Sequence, residues 1–433
     1  MSLVETLGTF GVTVPAEAAN VASTEVAMVR LSYGLISFAV AAVFAAHVAF
    51  AGKGDAIIHP TGKAAELPQG EKIGDISFAC KNRTSTCTLT EYMEYAHVCA
   101  LLVVKGGKIR LERYRPYRDN ETKCRPDKGV DRKDKEYGIA SIIKSLTSTL
   151  LGQAIAWKYK AATLAEFDAV LRMPVEEFIP ALGKGQPKSG YAGMPLDRVL
   201  RMRSGVKWKE YGRPPTDSDK FDETVKKKQE TIVGFAQGYV KASGTKFNYS
   251  ALDASINGAV AESLLENSEK LPDFLEKTLW KAIGAEAEAR WKVDKAGTGI
   301  GACCFYLRIH DLARFGLFVL RNGRDASGHE VIPGAWFDLA TRRQPDSADD
   351  IPFGNPSYND KCKLGKMAYR YQWWLLPKRT DFTAIGIDGQ FLHIYPDADA
   401  LIVQISDWEN WTDGNYLECE TFAAHDALIE AIK

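Results

Sequence analysis

Apolar side chains recur at three- and four-residue steps through Ile139, Ile142, Ile143, Leu146, Leu150, Ala154 and Ile155, while Ser141, Lys144, Ser145 and Ser148 make a second, polar stripe. That spacing predicts a helix with one apolar face, entered through a turn at Tyr137-Gly138. The same period predicts helices over 195–202, 221–243, 251–265, 309–320 and 423–432. Branched and aromatic runs predict strands instead. Leu101-Leu102-Val103-Val104 and Ile109 to Tyr114 flank Lys105-Gly106-Gly107-Lys108, whose glycine pair suits a tight hairpin. Residues 371–375, 391–395 and 401–405 read as further strands. Sheet segments therefore lie at both ends of the chain, with helices from 153 to 290 between them. The expected fold class is α+β: one antiparallel sheet built from distant parts of the chain, flanked by helices, with a mostly helical lobe inserted.

The periodicity fails over Leu31 to Ala51, an uncharged, alanine-rich run almost long enough to span a bilayer. Arg30 precedes it, and Ala49-Phe50-Ala51 before Gly52 offers the small residues of a signal-peptidase site. The stretch before it is too long for the charged start of a signal peptide, but Met28-Val29-Arg30 has the normal length. The expectation is a signal peptide over 28–51 with Met28 as the true start and 1–27 an over-extended gene reading. An uncleaved membrane anchor through residues 31–51 is the competing reading. Both export the remainder, to the periplasm or beyond. Residues 52–95, with Pro60, Gly62, Pro68, Gly70 and Gly74, read as an extended lead-in, and 96–433 as the folded domain.

Charge and cysteine content narrow the chemistry. Lys plus Arg and Asp plus Glu both number 55, so no basic surplus points to nucleic acid. The 8 cysteines all follow the export segment, as suits an oxidising compartment. Cys80 and Cys87 flank a short polar loop and could pair. For the adjacent Cys303 and Cys304, distant partners or free thiols are expected rather than a bridge to each other. Neither Cys-x-x-Cys nor His-Glu-x-x-His occurs, so no metal or organic cofactor is expected.

Candidate catalysis centres on Ser141 and Lys144. A lysine one helical turn after a serine reaches its hydroxyl, and a lysine whose pKa is lowered by burial can take the serine proton. Two other serines precede a lysine at this spacing, Ser204 before Lys207 and Ser243 before Lys246, but glycine follows each at once, which suits a turn. Gly-x-Ser-x-Gly is absent, so no α/β-hydrolase elbow is indicated. His393, on a predicted strand, is expected to be a core or surface histidine. Gly297-Thr-Gly-Ile-Gly301 lacks the preceding strand of a nucleotide loop and reads as a substrate-side loop or plain turn.

Seven segments stand out in order and spacing: the hairpin ending Leu111-Glu112-Arg113-Tyr114, Ser141-Ile-Ile-Lys144, Leu200-Arg-Met-Arg-Ser-Gly-Val-Lys-Trp208, Phe247-Asn-Tyr-Ser250, Asp311-Leu-Ala-Arg-Phe-Gly316, Tyr371-Gln-Trp-Trp374 and Gly386-Ile-Asp-Gly-Gln390. Together they resemble the serine hydrolases of the class C β-lactamase and penicillin-binding-protein superfamily, closest in look to the 6-aminohexanoate-dimer hydrolase branch. The resemblance covers residues 100–433 and implies a β-lactamase/transpeptidase-like fold. It implies Ser141 as nucleophile, Lys144 as the partner sharing its proton, and Tyr249 as general base or acid. The backbone N–H groups of Ser141 and Gln390 would form the oxyanion hole, with Asp388, Gly389, Gln390 and Ser250 facing the cleft. Two departures bear on substrate. Ala251 stands where β-lactamases often carry asparagine, and Ile387-Asp388-Gly389 where penicillin-recognising members have Lys-Thr-Gly. Losing a charged hydrogen bond to a substrate carboxylate costs about 1.5 to 3 kcal/mol. An exported hydrolase of a small ester, linear amide or peptide is therefore expected. The alternatives are a D-alanyl-D-alanine carboxypeptidase or β-lactamase, or an inactive binding protein of the same fold.

Overall fold

The computed structural model describes residues 54–433 apart from 82–83, 117–122, 186–187, 242–245, 343–366, 378 and 409–413. The export segment, the Met28 start and Cys362 lie outside the described residues. Among the described residues no helix is long and apolar enough to cross a membrane.

Three sheets are present among the described residues. Strands β1 (Ala56–Ile58), β6 (Tyr137–Gly138), β7 (Ala289–Trp291) and β8 (Phe305–Leu307) make a small sheet in the order β1-β7-β8-β6. Strands β2 (Ser77–Cys80) and β3 (Ser85–Thr88) pair by themselves. The main sheet joins β4 (Val98–Lys105), β5 (Lys108–Tyr114), β9 (Ala368–Arg370), β10 (Trp373–Leu375), β11 (Phe382–Gly386), β12 (Gln390–Tyr395) and β13 (Ala400–Ser406), in the order β5-β4-β13-β12-β11-β10-β9. All its pairings are antiparallel. The expected hairpin is there: Gly106 and Gly107 take φ of 57° and 72°, values a side chain would resist.

The run Leu101-Leu102-Val103-Val104 is apolar at every position because β4 is covered on both faces. Leu102 and Val104 enter the large core under the helical lobe, while Leu101 and Val103 enter a second core. That second core is closed by the helix Leu89–Tyr95 and by Leu428 and Ile429 of the C-terminal helix Gly414–Ala431. The helix Ile309–Leu320 packs on the opposite face. The helix Ile143–Tyr159 runs through the large core, buried on all sides from Ile143 to Ala156. Much of its polar side is buried too: Ser145 Oγ donates to Gln372 O at 2.6 Å and Thr147 Oγ1 to Gly301 O at 3.3 Å, while Ser148 Oγ finds no partner among the described residues.

Three expectations are corrected. No single helix spans 221–243: Asp217–Phe221 runs into a π-turn over Asp222–Lys226, Lys228 adopts a φ of 57°, and Ile232–Gln237 starts afresh. The cause is Thr231, whose hydroxyl accepts from Gly234 N at 2.9 Å and so caps a new helix. The lead-in is not merely extended, since β2, β3 and the helix Leu89–Tyr95 build on it, the helix starting in a Thr88–Glu91 capping box. And Cys303 and Cys304 are bridged to each other. Cys80–Cys87 forms as the loop suggested, Cys99 pairs with Cys124, and Cys419 is also oxidised.

Candidate active site

The candidate nucleophile, Ser141, is presented by a strained turn. β6 leads into Ile139, whose N–H is held by Phe305 O at 3.0 Å, and Ala140 then takes a φ of 47°, unusual for a residue with a Cβ. A single 3-10 turn, Ala140–Ile142, carries half-buried Ser141 to the head of the buried helix. From the other side the end of β11 closes on this turn. A Cβ on Gly386 would lie 2.7 Å from Ile139 O and 3.0 Å from the Ala140 Cβ, so only glycine permits the approach.

Lys144 lies one turn on, 2% exposed. Its Nζ donates to Ser141 Oγ at 2.8 Å and to Ala302 O at 2.7 Å. Burial pushes its pKa down to about 8; the Glu210 carboxylate works against this and the Lys226 charge adds to it. A substantial fraction of a lysine with that pKa is neutral near pH 7 to 8, and so able to accept the serine proton.

Tyr249 completes the group. Asn248 pins its segment, N–H to Met202 O at 2.8 Å and Nδ2 to Trp208 O at 3.0 Å. The Tyr249 ring stacks between Trp374, with centroids 5.8 Å apart, and Tyr211 at 6.2 Å, while Lys144 Nζ lies 4.9 Å from its centroid. Its hydroxyl is hydrogen-bonded to Ser141, but burial dominates and holds the phenol well above its ordinary value. The phenol therefore rests neutral, a proton donor.

The structure thus brings Ser141, Lys144 and Tyr249 together and places two other candidates at the rim. A cavity of about 680 Å³ opens beside the turn that carries Ser141, walled by Ala140, Tyr306, Cys303, Cys304, Ile387 and Asp388. Asp388, at a φ of 65°, is held by Lys123 Nζ at 2.5 Å, and Gly389 closes the same turn.

Gln390 and Ser250 are elsewhere. Gln390 faces Gly386 across the last rung of the β11–β12 ladder. With only three residues in the loop, that rung must be the one exchanging both main-chain bonds, so the Gln390 N–H points at Gly386 and not into the cleft. Its buried side chain donates to Asp388 O at 3.0 Å and Ser406 O at 2.8 Å and accepts from Ser406 N at 3.3 Å, fastening the loop from behind. Ser250 Oγ is spent as a helix cap on Asp253 N at 3.0 Å.

Against known families, the beta-lactamase model matches residues 88–417. The chain belongs to the beta-lactamase family. It is 24% identical over 331 residues to the 6-aminohexanoate-dimer hydrolase of Paenarthrobacter ureafaciens, covering 74% of this chain and 75% of that one. Two solved structures share its fold. A Bacillus anthracis protein provisionally designated a 6-aminohexanoate-dimer hydrolase has a TM-score of 0.65 and 19% identity, with 86% and 91% of the two chains covered. A class C beta-lactamase from Rhodobacter sphaeroides has a TM-score of 0.51 and 14% identity, covering 79% and 97%. The protein is a serine hydrolase of beta-lactamase fold.

Sequence reasoning missed three members of this beta-lactamase-family site. Glu210 is a carboxylate close enough to act on Lys144, held by Ala251 N at 2.8 Å and by the Trp208 indole, and burial raises its own pKa. The Ala302 carbonyl has no sequence signature. Ile387 follows Gly386, the residue pressed against the serine turn; only the strand register distinguishes it from Gln390.

Proposed function

We propose that the enzyme cleaves an ester or linear amide through an acyl-enzyme on Ser141. Neutral Lys144 takes the Ser141 proton as Oγ attacks the carbonyl carbon. The oxyanion is met by the Ser141 N–H and, from the strand side, by the Ile387 N–H in place of Gln390. Tyr249 passes a proton to the leaving group, and water then releases the acid by the same route in reverse. The observation carrying this reading is the 2.8 Å Lys144–Ser141 contact on a lysine buried away from solvent. Residues 382–389, the strand end and loop beside the nucleophile, contain no cation to hold a β-lactam or D-alanine carboxylate. That favours esters and linear amides, and the 6-aminohexanoate-dimer hydrolase likeness agrees with an amide.

Intact mass after treatment with a fluorophosphonate tests the reading: one adduct on wild type, none on Ser141→Ala and slow labelling of Lys144→Ala. A folded wild type that takes no adduct would sink it. Turnover of short-chain esters and linear amides, with β-lactams cleaved at least tenfold more slowly, is expected from the missing cation. The reverse preference would restore the β-lactamase alternative.

We also propose that the domain works outside the cytoplasm. The disulfides Cys80–Cys87 and Cys99–Cys124 support an oxidising compartment, as does the apolar run at 31–51. Cell fractionation, with mass of the mature N-terminus, decides between a cut signal and a retained anchor.

A further inference from the structure

The carbonyl that holds Lys144 belongs to the residue directly before the Cys303–Cys304 bridge. Ala302 sits in an irregular stretch between two anchored points. Upstream, Gly301 O is held by Thr147 of the Ser141 helix at 3.3 Å. Downstream, Phe305 O holds the N–H of Ile139, two residues before the nucleophile, at 3.0 Å. Between these anchors Cys304 adopts a φ of 70°, which disfavours any residue with a side chain. The carbonyl of Cys304 accepts from Lys292 N at 3.0 Å, but 301–304 belong to no strand or helix. A covalent ring across two neighbouring residues removes the freedom that an irregular pair would otherwise have. Both cysteines are half-buried and wall the cavity beside Ala140, so a small reductant entering the cleft reaches them.

We infer that the Cys303–Cys304 bridge is a positioning element for catalysis, holding the Ala302 carbonyl on Lys144 so that the amine lone pair faces Ser141, and that its reduction lowers turnover. The inference rests on Lys144 being the base proposed above. An amine that donates one N–H to Ala302 O leaves its lone pair only two staggered positions, and the one toward Ser141 is taken when the hydroxyl donates to it. Opening the bridge consumes two electrons and two protons from an external dithiol. The dithiol leaves as its own cyclic disulfide, and the chain keeps two thiols. The freed pair can relax from the φ of Cys304, and the Ala302 carbonyl then turns off Lys144.

The test compares full-length wild type, Cys303→Ser/Cys304→Ser and, as control, Cys80→Ser/Cys87→Ser, each with and without dithiothreitol, with the state of every bridge read by peptide mass. Expected for the Cys303→Ser/Cys304→Ser protein, and for wild type once this bridge is reduced, is a roughly tenfold lower plateau kcat with KM within about twofold. The acid limb of the pH profile should also move to lower pH, because a buried ammonium that loses an acceptor is harder to keep charged. The double variant should no longer respond to dithiothreitol, whereas the Cys80→Ser/Cys87→Ser control should keep wild-type activity and full sensitivity. An unchanged kcat after the bridge is opened would overturn the inference. So would an acid limb moving up toward an ordinary lysine, which marks general loosening and entry of water. If Cys303→Ser/Cys304→Ser does not fold, partially reduced wild type supplies the same comparison. Failure of oxidised wild type to take the fluorophosphonate would instead indict the proposed function.

Discussion

Two cations of this molecule are shifted in opposite directions, and the difference separates reactivity from support. Lys144 is enclosed by the helical lobe and offered a hydroxyl and a carbonyl, and burial draws its pKa down to about 8. His310, near the start of the helix Ile309–Leu320, lies between Glu112 at 3.0 Å and Glu286 at 3.3 Å. Hydrogen bonds to those carboxylates, Glu112 first, raise it to about 9 against the opposing effect of burial. Glu286 falls correspondingly to about 2, by its bond to His310 and then by Arg314. Neighbours, not residue type, decide which group keeps its proton. The histidine, ordinarily the base near neutrality, is locked as a cation, and the lysine becomes the group able to give its proton up.

The heaviest blow to this contrast comes from the site itself. Ser141→Ala is expected to lose on the order of 10⁴-fold or more in kcat/KM, and Lys144→Met on the order of 10³-fold, both measured on a substrate found by the ester and amide screen. Tyr249→Phe should cost about 10²-fold in kcat on amides. Its fluorophosphonate labelling should fall less, since that leaving group needs no proton, and equal losses would deny Tyr249 its role as acid.

Smaller changes sharpen the comparison. The pH dependence of kcat/KM should rise through about 8 as Lys144 loses its proton. Glu210→Gln should move that limb to lower pH, because the Glu210 charge is what holds Lys144 up. A limb that stays put would separate the two groups. At the other cation, His310→Gln should leave kcat alone and lower stability by about 2 kcal/mol at pH 6. The sign follows from a raised histidine: its contribution is complete below its unfolded value of 6.5 and is lost as pH rises through about 9. Urea denaturation at pH 6 and at pH 10 should show the gap closing.

Periodic, local features were legible in advance. The Gly106-Gly107 hairpin, the helix beginning at Ile309 and the serine and lysine sharing one helical turn each follow from residues close in sequence. His393 was expected in the core or at the surface, and it is buried, paired with Asp381 at 2.8 Å. What sequence could not reveal depends on register or on tertiary approach. Ile387 opens the loop and Gln390, three residues on, opens β12, and only the Gly386–Gln390 rung shows which amide is already engaged. The family resemblance put Ser250 in the cleft, yet a serine before a helix is equally a cap. The Cys303–Cys304 bridge escaped because adjacent cysteines rarely find the required backbone, and here Cys304 adopts it.

The position of β4 in the main sheet has a consequence for how the protein is made. Leu102 pairs with Val403, so the first long strand waits for a neighbour about 300 residues downstream. At about 5 to 20 residues per second of synthesis, roughly 15 to 60 s pass before that neighbour leaves the ribosome. Throughout that interval β4 and β5 can form their hairpin but show an open apolar edge. Non-local pairing of this kind also slows folding once the chain is complete. A nascent polypeptide whose central sheet cannot close early stays open to extended, unpaired conformations until its last hundred residues have emerged.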